Sequence, residues 1–465
     1  MIARNGMLEP AGGEAPQGRG MMRTRRKETG PDNEQERLKM SSNESGEAEA
    51  VSQQHTTWPV DDRRTRRNEA VLSEYGEGLV EAFSHYIDPY MALPVTAFAK
   101  LQGEGKAIGI ELPYACSGHH EAMRTLLTVS LPDGDVPILN FSQAIEALPV
   151  ADRSPKGGPQ TGHAPLIQPR DASKPSTAAS SGQSAALPGV RNIIAVASGK
   201  GGVGKSTSSV NLALALQAEG ARVGIVDADI YGPSMGMMCG VAEGTRPEII
   251  DFDGTRFFQP IDVFADAGAA PIQLMSMAFL VNDKTPMVWR GPMVSGALLQ
   301  LITQTHWQGL DYLIVDLPPG TGDIQLTLSQ KVPLSAAVIV TTPQDIALLD
   351  ARKAVSMFEK VDVPVLGVIE NMSVHICSNC GHREHLFGSE GGARMAEEYG
   401  LPLLGQIPLH LTIREQTDRG RPTVYAEPES EVGLIYRDMA RNVSARLAIR
   451  CAHAKNAAPG LIAHD

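Results

Sequence analysis

Long apolar runs are missing from this 465-residue chain, and no stretch approaches the ~20 apolar residues that cross a bilayer as a helix. Cysteine is scarce: five in the whole chain exclude a disulfide scaffold and point instead to a reducing compartment. Positive charge is in deficit, with 41 Lys and Arg against 53 Asp and Glu and a net charge of -12. That balance argues against a general nucleic-acid binder and leaves room only for a local basic patch. A secretory signal is missing too, because Arg23, Arg25 and Arg26 are followed by no apolar stretch. Glu34, Glu36, Glu44, Glu47 and Glu49 do not suit a transit peptide, so the chain reads as cytoplasmic.

What is present divides into blocks, and the length suggests about three of domain size. Residues 1–60 are rich in Gly, Glu, Asn, Ser and Arg and carry too few large apolar residues to offset the entropy of ordering, so they read as a disordered leader. Met21, Met22 and Met40 are alternative start candidates within it. Residues 61–150 form a small α+β domain. Val71, Leu72, Tyr75, Leu79, Val80 and Phe83 recur at helical spacing up to Asp88-Pro89, Val95 to Leu101 reads as a strand, and Ile108, Ile110 and Leu112 alternate as in a half-buried strand. Residues 151–188, dominated by Pro, Gly, Ser, Ala and Thr, read as a flexible linker that tethers the small domain rather than packing it rigidly.

From 189 to 451 short apolar strands alternate with helical patterns, which calls for an α/β fold with a largely parallel sheet covered by helices on both faces. The strands expected are Ile193–Ser198, Val223–Asp227, Tyr312–Asp316, Ala337–Thr341, Val365–Ile369 and Leu403–Ile407. A helix is expected to open at Thr342, with Pro343 in its first position and Asp345 closing a capping box. The last helix runs from Glu431 to about Arg450, and 452–465 is a tail.

The sequence Gly199-Lys-Gly-Gly-Val-Gly-Lys-Ser-Thr207 lies where the first of those strands turns into a helix, the context of a phosphate-binding loop. The backbone of Gly199, Gly201, Gly202, Val203 and Gly204 can turn its N–H groups around a polyphosphate, aided by the positive end of the helix dipole. Lys205 reaches the β- and γ-phosphates, the Ser206 hydroxyl joins a Mg²⁺ shell and Thr207 contacts the α-phosphate. Lys200 is too far from Lys205 in the loop to share its role. A cation there suits a γ-phosphate approached from the other subunit of a dimer, in the manner of an arginine finger, worth about 10³ to 10⁵ in rate.

Carboxylates end two strands. Asp229, two residues past Asp227, is the candidate for orienting the attacking water, and Asp227 for holding switch geometry or the Mg²⁺ water shell. Leu313-Ile-Val-Asp316 is a Walker B arrangement in which Asp316 holds Mg²⁺ through water. The following Leu317-Pro-Pro-Gly-Thr-Gly-Asp323 suits a switch, with an N–H from Gly320 or Gly322 available to the γ-phosphate. Asn371 offers a donor and an acceptor to an adenine edge, and Pro408 a floor for the base.

Cys377 and Cys380 are spaced to put two thiolates on one metal or one cluster edge. On spacing alone zinc is the default, because His382 and His385 can complete four ligands within one chain. With the cysteines alone the site is half built, and a twofold dimer supplies the four thiolates of a [4Fe-4S] cluster.

Taken together, the loop with Lys200, Asp227-Ala-Asp229-Ile-Tyr-Gly-Pro-Ser, Trp289-Arg-Gly-Pro-Met, Asp311 to Asp323, Glu370-Asn-Met-Ser and the Cys377/Cys380 pair resemble the Mrp/ApbC iron-sulfur cluster carriers, members of the MinD-like, deviant-Walker class of dimeric ATPases. The resemblance covers about residues 190 to 450. It implies an ATP-hydrolysing homodimer that holds a labile [4Fe-4S] cluster between paired cysteines and passes it to apo-proteins, and it favours iron-sulfur over zinc. The small domain resembles one often joined to iron-sulfur assembly factors, with Asp88-Pro89 and Cys116 in the recurring places. For Cys116 a small buried hydrophobe is an equal reading. Two alternatives stand beside the carrier: a zinc-stabilised nucleotide-binding scaffold, and a MinD/ParA-like positioning ATPase on membrane or DNA. The second lacks a basic amphipathic strip at the end of the chain.

Overall fold

The structure is a computed structural model, and it describes residues 57–59, 61–129, 137–149, 186–252, 254–265, 269–280 and 291–457. The expected leader and linker fall almost entirely outside the described residues.

The small domain opens on a helix, Asp62–Ser73, whose first turn is capped by the Asp61 carboxylate accepting from Arg63 N at 3.1 Å. A second helix, Glu77–His85, follows after Gly76 at φ +125, so the single helix expected across this stretch is two. Val95–Leu101 is not a strand. It is a short helix, Val95–Phe98, leading into β1 (Lys100–Glu104). The reason is Asn68, a buried side chain that donates to Thr96 O and Ala99 O and accepts from Leu101 N, satisfying a turn that an extended chain would not make. β2 (Ala107–Leu112) pairs antiparallel with β1 and parallel with β3 (Ile138–Gln143). Its burial alternates, with Ile108, Ile110 and Leu112 fully inside. A helix, His120–Thr128, packs Met123 and Leu127 against the same core.

The larger domain begins with β4 (Val190–Ala197), followed by the phosphate-loop helix Lys205–Ala218 and β5 (Val223–Asp227). Next come a two-stranded ribbon of β6 (Ile249–Phe252) and β7 (Thr255–Phe258), then β8 (Ile261–Val263), β9 (Ile272–Ser276), β10 (Leu310–Asp316) and β11 (Ala336–Thr341). β12 (Val365–Ile376), β13 (Arg383–Glu384) and β14 (Leu403–Leu409) complete the strands. The main sheet has the order β13-β12-β11-β4-β10-β5-β9-β8, with β14 also on β12. Its pairs are parallel except at the margins, where β13 and β8 run antiparallel. Strands β4, β10 and β11 are buried along almost their whole length because helices cover both faces.

The six strands expected in this domain are all present. The helix expected to open at Thr342 instead begins at Asp345. The Thr342 hydroxyl donates to Gln344 Oε1 at 2.9 Å rather than accepting from the helix, so no capping box forms. The last helix does not stop near Arg450 but runs Glu431–Ala457.

The small domain is packed on the larger one, contrary to the tether expected. Ala445, Ala448 and Ile449 of the last helix lie in the small domain's core. Glu219, just past the phosphate-loop helix and fully buried, accepts from Gly118 N at 2.8 Å, Arg437 Nε at 3.0 Å and Arg441 Nη2 at 2.8 Å. Ser444 Oγ accepts from Ala115 N at 2.6 Å and lies 2.7 Å from the Tyr312 hydroxyl on β10. One buried hydroxyl thus serves both domains. Ser444→Ala leaves two buried polar groups without a partner, a cost of about 1–3 kcal/mol each. Urea denaturation should show the loss, and hydrogen exchange should show faster exchange at Ala115. An unchanged midpoint and unchanged exchange would mean that the two domains are not joined here.

Candidate functional site

The carboxyl ends of the central strands converge, because in a parallel sheet each strand delivers its last residue to the same edge. Asp316 at the end of β10 stands in register with Asp227 at the end of β5 and with Val196 of β4, next to the phosphate loop. The loop closes through Gly204 at φ +81, where a Cβ would lie 2.1 Å from Asn371 Nδ2, so only glycine fits. Asn371 Nδ2 donates to Val203 O at 2.8 Å, and its Oδ1 accepts from Met372 N at 2.9 Å. The amide read as an adenine contact is therefore a clamp on the phosphate loop, with one N–H and one lone pair left over.

Lys205 and Asp316 form a buried ion pair at 2.7 Å, the lysine 6% exposed and the aspartate not at all. Asp316 also accepts from the Ser206 hydroxyl at 2.6 Å and, through its other oxygen, from Ser209 at 2.6 Å. Ser209 was not singled out from the sequence. It stands three residues past Ser206 on a helix, so both hydroxyls share a face and meet the same carboxylate. Lys205, Ser206 and Asp316 are thus brought together, and a hydroxyl beside a carboxylate is a donor set that fits Mg²⁺, a hard cation that prefers oxygen.

Asp227 is fully buried and accepts from Ser234 N at 2.9 Å, Met235 N at 3.0 Å and the Ser276 hydroxyl at 3.0 Å. It holds the segment after β5 in place, as switch geometry requires. Burial first, and the neighbouring Asp316 carboxylate second, push its pKa up to about 7. Asp229 is half-buried, with local contacts only: its N donates to Asp227 Oδ1 at 3.2 Å and its Oδ1 accepts from Tyr231 N at 3.3 Å. The structure does not join it to the loop residues. Lys200 is exposed, and no ion pair to it occurs among the described residues. Thr207 is the third residue of the helix Lys205–Ala218, and its carbonyl accepts from Asn211 Nδ2 at 2.9 Å.

The segment after Asp316 differs from expectation in one respect. Gly320 N donates to Ser198 O at 3.0 Å, so its N–H is already used, and Gly322 remains as the residue preceding helix Asp323–Lys331. Pro408 lies inside β14 rather than after it, and is buried. The position is open to proline because β14 is bonded to β12 alone. In register terms it follows Ile407, the partner of Asn371. Trp289 and Arg290 lie outside the described residues.

The thiol pair sits at the tip of the β12–β13 hairpin. Cys377 N donates to His382 O at 3.0 Å and Gly381 N to Cys377 O at 2.8 Å, which folds the knuckle. Cys377 is half-buried and Cys380 exposed. The backbone N–H groups of Cys380 and Asn379, with the Cys380 thiol, lower the Cys377 pKa and favour the thiolate that a metal needs. His385 Nδ1 is 2.9 Å from Ser373 O. Among the described residues no three His, Cys, Asp or Glu side chains assemble in a metal-holding group. The closed tetrahedral arrangement expected for zinc is therefore not formed, and the cysteines stand as a pair.

Cys116 is fully buried, its thiol donating to Tyr114 O at 3.4 Å, and burial drives its pKa far above the ordinary thiol value. Asp88 is equally buried, accepting from Tyr114 OH at 2.7 Å and from Tyr90 N and Met91 N. Both read as structural in this packing.

The buried Asp227 sets a pH dependence. Between its ordinary 3.8 and about 7 the folded chain holds a proton that the unfolded chain has lost, so stability falls as pH rises through that window. Asp227→Asn keeps an oxygen for Ser234, Met235 and Ser276 but does not titrate. Relative to wild type it should gain on the order of 1 kcal/mol per pH unit from about pH 4 to 7. Denaturant titrations at several pH values check this, and parallel curves for the two proteins would contradict it.

Residues 189–444, more than half the chain, match the protein family described as ParA: NUBPL iron-transfer P-loop NTPase. An iron-sulfur cluster carrier protein from Pseudomonas fragi is 65% identical over 254 residues, covering 55% of this chain and 85% of that one. One from Escherichia coli strain K12 is 59% identical over 259 residues, covering 56% and 68%. A solved nucleotide-binding protein from Archaeoglobus fulgidus, in complex with ADP, shares 35% identity at a TM-score of 0.45, over 53% of this chain and 91% of that one. Phosphate loop, paired carboxylates and cysteine pair all fall inside the matched span, and the chain belongs to the ParA/NUBPL iron-transfer family of P-loop NTPases.

Proposed function

We propose that this chain is an ATP-hydrolysing iron-sulfur cluster carrier that holds a labile [4Fe-4S] cluster between two copies of itself and passes it to apo-proteins. The observation that carries the reading is the isolation of Cys377 and Cys380. They stand accessible at a hairpin tip with no further ligand among the described residues, so a second copy is what completes a four-thiolate set. The carrier relatives from Pseudomonas fragi and Escherichia coli support the cargo.

In this reading ATP lies along the phosphate loop, and its β- and γ-oxygens compete with Asp316 for the Lys205 ammonium. Release of that ion pair frees the Asp316 carboxylate, and Asp316 with the Ser206 hydroxyl would hold Mg²⁺. Mg²⁺ supplies charge neutralisation on the phosphates. Lys200 of the second copy adds a cation at the γ-phosphate, and Asp229 orients the attacking water once the segment after β5 moves. The adenine contact uses the remaining N–H and lone pair of Asn371, with Pro408 beside it. Hydrolysis loosens the dimer, and with it the cluster, because both sites depend on the same meeting of two chains. No described helix is long and apolar enough to cross a membrane, and we place the carrier in the cytoplasm.

Cys377→Ala with Cys380→Ala should abolish the visible iron-sulfur absorbance after anaerobic reconstitution. Binding of a fluorescent ATP analogue should be unchanged. Full cluster absorbance in the double variant would overturn the reading, and zinc at one per chain with no iron would replace it with a scaffold.

A further inference from the structure

Three side chains hold Asp316, and nucleotide would treat them differently. Lys205 Nζ pairs with Oδ2 at 2.7 Å, the Ser206 hydroxyl donates to that same oxygen at 2.6 Å, and the Ser209 hydroxyl meets Oδ1 at 2.6 Å. Phosphate oxygens draw Lys205 away, and a lone pair of Ser206 goes to the cation. Ser209 has neither demand on it. Fully buried in the second turn of the helix Lys205–Ala218, it has one hydroxyl proton and two acceptors within reach, Lys205 O at 3.0 Å and Asp316 Oδ1 at 2.6 Å. The shorter contact, to the charged acceptor, takes the proton.

We propose that Ser209 is a positioning residue that keeps the Asp316 carboxylate aimed at the cation site when Lys205 turns to the phosphates, a role that rests on the proposed nucleotide and Mg²⁺ chemistry and not on the cysteines. The last torsion of an aspartate is soft, so a carboxylate held at Oδ2 alone can swing after the departing ammonium. Held at both oxygens it cannot. Ser206 and Ser209 stand three residues apart on one helix face, and turning the carboxylate would break one of their two bonds in a place closed to water, where the lost partner is not replaced. Asp316 itself ends a strand paired on both sides, with β4 and with β5, so its backbone cannot follow either. Ser209 thereby uncouples Asp316 from Lys205, and the ion pair can open without taking the carboxylate along.

The test uses the full chain, with binding of mant-ATP followed by fluorescence in Mg²⁺ and in EDTA. Ser209→Ala should reduce the gain in affinity that Mg²⁺ gives by about tenfold, the range expected on removing a partner that orients a metal ligand. Binding in EDTA should change far less. The Mg²⁺ concentration for half-maximal hydrolysis should rise by a similar factor, while the KM for ATP at saturating Mg²⁺ stays near wild type. Ser209→Thr and Ser209→Val match each other in shape and nearly in helix propensity and differ in the hydroxyl, so they keep the comparison valid even where the Ala variant folds poorly: Thr should follow wild type, and Val should follow Ala. Equal Mg²⁺ responses in the Thr and Val variants, or an Ala variant whose Mg²⁺ gain matches wild type, would overturn the proposal. So would an equal loss of affinity in Mg²⁺ and in EDTA, which would make Ser209 a packing residue of the loop. A wild-type chain whose nucleotide binding ignores Mg²⁺ would sink the nucleotide reading itself, and the proposal with it.

Discussion

The buried pair of Lys205 and Asp316 is the constraint on which the nucleotide site depends. Two unlike charges sealed from water attract strongly, yet each has lost hydration, and removing one partner from such a pair costs about 3–5 kcal/mol. The chain supports the pair with the hydroxyls of Ser206 and Ser209, both at 2.6 Å from the same carboxylate. The carboxylate is thereby fully coordinated at the end of a strand that cannot shift, because β10 is flanked by β4 and β5. A second aspartate stands beside it, and keeping Asp227 largely protonated below about pH 7 spares the site two adjacent buried negative charges.

From that centre the fold reaches outward along rigid elements. β12 carries Asn371, which grips the phosphate loop through Val203 O, and continues to Ile376, one residue short of Cys377. The helix that starts at the phosphate loop ends against the small domain, where Glu219 gathers Gly118, Arg437 and Arg441. The Tyr312 hydroxyl on the strand of Asp316 meets Ser444, which also holds Ala115. Loop, thiol hairpin and small domain are therefore fixed to one sheet, and a change of shape in any of them has packed structure to push against.

Six strands of the larger domain were legible because their apolar runs are largely buried, and the phosphate loop because its residue types follow from backbone geometry. The ribbon β6–β7 and the short β8 and β9 escaped notice, being three to five residues long with little burial to imprint a pattern on β6 or β7. Val95 to Leu101 misled because β-branched and aromatic residues favour strands locally, while Asn68, nearly thirty residues earlier, decides otherwise. Asn371 lies just past the strand expected to end at Ile369 but inside the longer β12, and its partner at Val203 is a tertiary fact no spacing contains. The docking of the small domain was hidden for the same reason: a linker's composition reports its own entropy, not the contacts of what it joins.

The central claim is that two copies must meet before either site is whole, and the direct measurement is activity in mixtures of two inactive variants. On the proposed reading, Lys200→Ala would lack the cation given to the other subunit, and Asp316→Asn the carboxylate used in its own. Mixed subunits contain one pocket with both, so unfolding and refolding the pair together should restore ATP hydrolysis to about a quarter of wild type, from random pairing of closed twofold dimers. Activity no greater than the sum of the separate variants, with dimers shown to exchange, would place Lys200 in its own subunit's pocket and contradict the account.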